Sequence, residues 1–271
     1  MRLSLVPPSS SLRRLLGGLF VLVMPVLVVG CGGGSIYSVN EGQIAQRFLP
    51  TEQTVEYHPD SLGALTITEE EGKLQYQLDQ DYQSLVERWS SRFQNVGAGR
   101  SVQSRTYATL RSLELSLASL QPEMGILSLR KEKARDLIEK RRRGYFDTIQ
   151  INVYWFIERR GESGIVSGPS ARTKLIVQDS AYRPVRTDHG PLREAYVSGG
   201  NTVLYRRNTL HFPRTVDGTD VLENASGVQL EVRRTGAGSE EQFAWGWEVD
   251  RRRSEWRAAW GPLGPTSLLP F

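Results

Sequence analysis

Cys31 is the only cysteine in the 271-residue chain. A lone thiol can act as a thiolate nucleophile or be modified on sulfur. It can form no disulfide within the chain and cannot build a cysteine-rich metal site. The three histidines, His58, His189 and His211, lie too far apart in sequence to make a metal-ligand pattern. Ser128-Leu129-Arg130-Lys131 has the Ser-x-x-Lys spacing in which a lysine amine activates a serine hydroxyl. The companion Ser-Asp-Asn and Lys-Thr-Gly elements of such enzymes are not in the chain. Nor is there a Gly-x-Ser-x-Gly elbow, a phosphate-cradling glycine loop or a His-Glu-x-x-His helix. Asp188-His189 sits beside Gly190-Pro191 and reads as a turn, and Asn224-Ala225-Ser226 fits the glycosylation pattern. No catalytic, cofactor-binding or metal-ligating residue is therefore assigned, and no cofactor is expected. A pair of acid and base carboxylates is defined by separation in space, so sequence alone does not locate one.

What precedes Cys31 gives its thiol a context. Arg2, Arg13 and Arg14 supply positive charge, and an apolar run from Leu15 to Val29 follows. That run is shorter than the roughly 20 residues a spanning helix needs, and Gly17, Gly18 and Pro25 interrupt it. This is the layout of an export signal. Val28-Val29-Gly30-Cys31 closes the run and resembles the lipobox of bacterial lipoproteins. The resemblance covers residues 1–31 alone; the remainder resembles no family. It implies cleavage before Cys31, diacylglycerol on the Cys31 sulfur and an acyl chain such as palmitate on the new amino terminus. It thus implies a membrane partner held through acyl chains. Gly32 stands where the class places an inner-membrane retention aspartate, so the resemblance implies the outer membrane, facing the periplasm, in a two-membrane cell. Gly32-Gly33-Gly34-Ser35 reads as a flexible tether.

Charge narrows the partners further. Three of the 34 basic residues lie in the export segment and none of the 30 acidic ones does, which leaves 31 against 30. A nucleic-acid binder carries a clear basic excess, so no nucleic-acid partner is expected. With 39% hydrophobic and 24% charged residues the chain is globular in composition.

The elements that would carry any site read mainly as strand. Residues 62–68 and 73–78 predict a hairpin about the Glu69-Glu70-Glu71-Gly72 turn, whose three carboxylates read as solvated rather than calcium-binding. Residues 79–93 predict an amphipathic helix with Trp89 on its apolar face. Residues 105–120 alternate at Leu113, Leu115 and Leu117 and predict a strand. Residues 128–143 predict a second helix, its basic Lys140-Arg141-Arg142-Arg143 end complementing the dipole and Gly144 closing it. Residues 146–158 alternate most clearly, with Ile149, Ile151, Val153, Trp155 and Ile157 on one face. Further strands are predicted at 173–179, 195–197, 202–212, 228–234 and 242–249, separated by turns at 187–191, 199–201, 217–218 and 236–238. Phe243, Trp245, Trp247 and Val249 share a face that reads as core rather than sugar platform.

The expected fold class is α+β, mainly β: an antiparallel β-sandwich-like domain with one or two accessory helices. The expected organisation is a signal peptide at 1–30, a lipidated Cys31 with tether and lead-in to 60, a β-rich domain at 61–250, and an Arg/Trp then Pro-rich tail at 251–271. The expected function is that of a lipid-anchored cell-envelope lipoprotein, a non-catalytic binding or assembly accessory with an envelope protein or polymer as partner. The alternatives are an envelope-polymer hydrolase using a carboxylate pair, and a lipid or small-ligand carrier.

Overall fold

The computed structural model describes residues 36–70, 73–92, 94–96, 106–157, 173–197, 200, 202–233 and 240–248. Cys31, Val249, the turn at 236–238 and the tail lie outside the described residues. The architecture below is that of the unit from Tyr37 onward.

In chain order the elements are α1 (Glu41–Gln46), β1 (Glu52–Val55), β2 (Leu65–Glu70), β3 (Lys73–Leu78), α2 (Tyr82–Arg88), β4 (Ser90–Arg92), β5 (Gln94–Val96) and β6 (Tyr107–Leu110). Helices α3 (Leu113–Ala118), α4 (Leu120–Met124) and α5 (Lys131–Asp147) follow. The rest is strand: β7 (Thr148–Ile157), β8 (Lys174–Val177), β9 (Ser180–Tyr182), β10 (Arg186–Tyr196), β11 (Thr202–Pro213), β12 (Thr215–Val216), β13 (Thr219–Asp220), β14 (Gly227–Arg233) and β15 (Glu240–Trp247). The fold is α+β and mainly β, as its alternating segments require.

Two sheets form the body. One has the order β1-β15-β14-β8-β9, with β5 also on β15; the other runs β10-β11-β7-β6-β4. Strands β4 and β5 are nearly consecutive yet belong to different sheets, which makes a corner where the sheets meet. The β1–β15 pair is parallel. Ile149, Ile151 and Val153 of β7 join Leu210 and Phe212 of β11 in one buried cluster with Leu230, Phe243, Trp245 and Trp247 of the first sheet. Each such side chain contributes roughly 1.5–3 kcal/mol on burial. The indole N–H groups are satisfied inside this core: Trp245 donates to the Trp89 carbonyl at 2.9 Å and Trp247 to the Ala225 carbonyl at 2.7 Å. The short β12–β13 hairpin turns at Asp217-Gly218, both at positive φ, the conformation that the Asp-Gly pair favours.

Several expectations are corrected by tertiary packing. Residues 105–120 are not one strand: β6 ends at Leu110, Ser112 caps the next turn by accepting from the Leu115 amide, and α3 follows. Every residue of α3 is buried, so it has no polar face to betray a helical period. The second helix continues through Gly144 to Asp147, because Tyr145 belongs to the core and its hydroxyl donates to the Pro59 carbonyl and Asp60. The first helix is shorter than 79–93; Trp89 ends it and Ser90 starts β4, with its hydroxyl on the Val86 carbonyl. Residues 187–191 lie within β10, where a bulge between His189 and Leu192 absorbs Pro191. Residues 37–60 give the core Tyr37, Ile44, Leu49 and Val55, so this stretch is part of the folded unit.

Gly144 tests the helix assignment. It lies inside α5, and a methyl group there meets nothing within 4 Å. Gly144→Ala is expected to raise stability by about 0.5–1 kcal/mol in urea melts. A loss of stability would mean that Gly144 holds a left-handed cap.

Candidate functional site

The second sheet gives Ile149, Ile151 and Val153 of β7 to the core on one face, and its other face carries an aromatic row that is itself buried at Tyr107, Tyr154 and Tyr205. In register across β6, β7 and β11, Tyr107 and Arg207 flank Tyr154. Tyr107 stacks on Tyr154 with centroids 4.5 Å apart, and Phe156 on Tyr205 at 5.5 Å. Arg207, paired in register with Tyr154, is exposed on β11. Burial drives the Tyr107 phenol well above its ordinary pKa, and its hydroxyl has no hydrogen-bond partner among the described residues.

Beside this tyrosine row two more guanidiniums converge. Arg111, just past β6, donates to Ser119 Oγ at 2.6 Å; Arg141, from α5, donates to the same oxygen at 2.8 Å and to the Ser116 carbonyl at 3.1 Å. Glu123 of α4 accepts from both, at 3.4 and 2.7 Å. Burial pushes the Glu123 carboxyl up, but Arg111 and then Arg141 outweigh it and hold it below its ordinary value. Tyr82 and Tyr154 lie close enough to feel these charges. Arg111, Arg141, Ser119 and Glu123 thus form a partly exposed charged cluster where α4 and α5 meet the loop after β6.

Two buried charged groups lie elsewhere, and both hold the loop at 57–64. Glu114 accepts from Trp89 Nε1 at 2.5 Å, the Ala64 amide at 2.7 Å and the Tyr57 hydroxyl at 2.9 Å. Its own burial raises its pKa against these donors. Arg214 donates to Asp60 at 2.6 Å and lies 2.8 Å from Asp220. Burial opposes its charge, yet Asp60 keeps it firmly protonated. Both are structural, each tying the loop at 57–64 to distant parts of the chain.

A hydroxyl, an imidazole and a carboxylate line up at Thr148, His211 and Asp188, the order of a nucleophile relay. Asp188 Oδ2 is 2.8 Å from His211 Nε2, and Thr148 Oγ1 makes a longer contact of 3.3 Å with Nδ1. Arg186 also approaches both ring nitrogens, at 2.9 and 3.3 Å, and competes for the one acceptor position. The row ties β7, β10 and β11 together; the hydrogen bond from His211 is the main cause that depresses the Asp188 pKa.

The residues singled out in sequence fall as follows. Cys31 lies outside the described residues. Ser128 donates to the Gly125 carbonyl and Lys131 pairs with Glu69, so the Ser-x-x-Lys pair is not a dyad. Glu69 is bound by Lys131 and Arg135, which anchors the β2–β3 hairpin to α5. His58 packs edge-on against Trp247 with centroids 5.5 Å apart, His189 meets Asn208, and His211 meets Asp188. Trp89, Trp245 and Trp247 are buried, and Asn224 sits in a turn at positive φ. Of the basic cluster, Arg141 turns toward Ser119 and Glu123. That cluster has no motif in the sequence, because its members are scattered from position 111 to position 141; the arginine abundance is its only signal.

No protein-family model, curated protein or solved structure matches the chain.

Glu114→Gln is expected to cost about 1–3 kcal/mol, since the amide must turn an N–H toward a donor. It also removes a pH dependence. Folding raises this carboxyl's pKa above its unfolded value near 4.5, so its contribution is greatest below that pH and falls as pH rises through the folded pKa. Denaturant melts from pH 4 upward should show that decline in the wild type and not in the variant. Arg214→Met strands Asp60 and Asp220 and should lower stability by about 3–5 kcal/mol by the same measurement.

Proposed function

We propose that the protein is a lipid-anchored component of the cell envelope, acylated on Cys31, whose folded domain binds an envelope protein or polymer without catalysing a reaction. One observation carries the reading: the chain's single cysteine stands at the end of Val28-Val29-Gly30-Cys31, after an arginine-flanked apolar run, with Gly32-Gly33-Gly34-Ser35 leading to the folded unit. Each acyl methylene that enters the bilayer contributes about 0.8 kcal/mol, and two or three chains together make release slow. Among the described residues no helix is long and apolar enough to cross a membrane. Gly32 favours the outer membrane in a two-membrane cell.

Support for binding over catalysis comes from how the reactive side chains are used. Ser128, Lys131, Glu114 and Arg214 are engaged in contacts that hold the fold.

Mass spectrometry of the amino-terminal peptide from native membranes is expected to begin at Cys31 and to carry acyl mass on it. Cys31→Ser should leave the protein uncleaved or release it from the membrane fraction. A free Cys31 thiol, or a product that begins at Met1, would overturn the anchor. Release of fragments from a cell-wall polymer by the purified protein would overturn the non-catalytic role.

A further inference from the structure

Strand β10 is the outermost strand of the second sheet and, at eleven residues, is longer than the other edge strands β1, β4 and β9. Among the described residues no strand pairs with its outer side. The N–H and C=O groups that point away from β11 form a template for another strand. Three large apolar side chains stay exposed on this strand or beside it: Val185 at 65%, Leu192 at 42% and Tyr196 at 67%. Val185 extends the strand by one residue, its amide donating to the His211 carbonyl at 2.7 Å. Arg193 and Glu194 are exposed and make no ion pair among the described residues.

The bulge decides what this edge can accept. Between His189 and Leu192 the strand carries one residue more than β11 does. Arg186 and Asp188 before the bulge therefore share a face with Arg193 and Ala195 after it, all opposite odd-numbered residues of β11. A regular strand laid along the edge would match these faces on one side of the bulge and lose them on the other. A strand with its own extra residue at the same place keeps them throughout. A second β10, turned about a two-fold axis at the Gly190–Pro191 bond, is such a strand. Pro191, which has no N–H to offer, then falls at the axis, where the ladder is already interrupted.

We propose that the protein forms a two-fold symmetric dimer by antiparallel pairing of β10 with the β10 of a second copy, joining the two five-stranded sheets edge to edge. In the register centred on the bulge, Asp188 faces the second copy's Arg193 and Val185 faces the second copy's Tyr196, each pair occurring twice by symmetry. Opposite charges, and aromatic beside β-branched side chains, are favourable cross-strand pairs. The neighbouring registers that keep the faces matched are poorer. One sets Arg186 opposite Arg193; the other sets Asp188 opposite Ala195 and leaves Arg193 without an acid. The inference does not depend on acylation of Cys31.

Sedimentation equilibrium of the full chain in density-matched neutral detergent tests the dimer, with thermal melts to confirm that variants are folded. The wild type is expected to dimerise as its concentration rises. Arg193→Asp breaks no ion pair among the described residues but sets a carboxylate against the second copy's Asp188, and should weaken association about tenfold. Hydrogen exchange gives a second reading: amides within 186–196 should exchange more slowly in the wild type than in Arg193→Asp at equal concentration. A wild type that stays monomeric at about 100 μM overturns the interface, whatever else binds the edge. A dimer whose affinity is unchanged in Arg193→Asp, or one in which the β10 amides gain no protection, is held elsewhere and overturns it too.

Discussion

The loop at 57–64 is held by two buried ions of opposite sign, and much of the structure depends on that arrangement. Glu114 takes the two ends of the loop, through the Tyr57 hydroxyl and the Ala64 amide, and Arg214 takes its middle through Asp60. A buried charge is tolerable only when its hydrogen-bonding positions are filled. Here the filling groups come from distant parts of the chain: Trp89 from the end of α2, Tyr145 from α5 and Asp220 from β13. Each ion therefore fixes several elements at once. Gly63 is part of the same constraint. It lies at φ +38°, and a methyl group there would meet the Tyr57 ring and Glu114 Oε2.

This constraint reaches the Arg111–Arg141 cluster through α3. Glu114 sits on α3, and so does Ser116, whose carbonyl receives Arg141; Ser119 follows at its end. Holding Glu114 in the interior sets where the C-terminal end of α3 lies, and that end collects the two guanidiniums. The helix dipole adds to the effect, since cations are stabilised at a helix C-terminus. The excess positive charge of the cluster is thus placed by a buried negative one less than two turns away. Repulsion between Arg111 and Arg141 is borne by the rigidity of the packing around them.

The sequence made part of this legible. Strand β15 alternates between fully and partly buried residues, and in β7 the alternation at Ile149, Ile151 and Val153 marks the core face although Asn152 and Tyr154 on the other face are also buried. The β2–β3 hairpin and the Asp217-Gly218 turn were visible for local reasons. Helix α3 was not, because a helix buried on every side loses the polar stripe that marks its period. Gly144 and Pro191 misled in a related way. Each normally ends an element, but the burial of Tyr145 and the bulge in β10 keep both inside one. The loop at 57–64 carries no periodic pattern at all; its order comes from partners such as Glu114 and Arg214, 50 and 154 positions away. Of the site, the arginines were countable but their convergence was a tertiary fact.

Under the proposed anchor the demands on any binding face would be modest. A protein tied by acyl chains to one surface samples that surface rather than the bulk, so the effective concentration of ligands fixed to the same envelope replaces their solution concentration. A body whose stability is set by ions buried inside it, as at Glu114 and Arg214, leaves its exposed faces free of that structural duty.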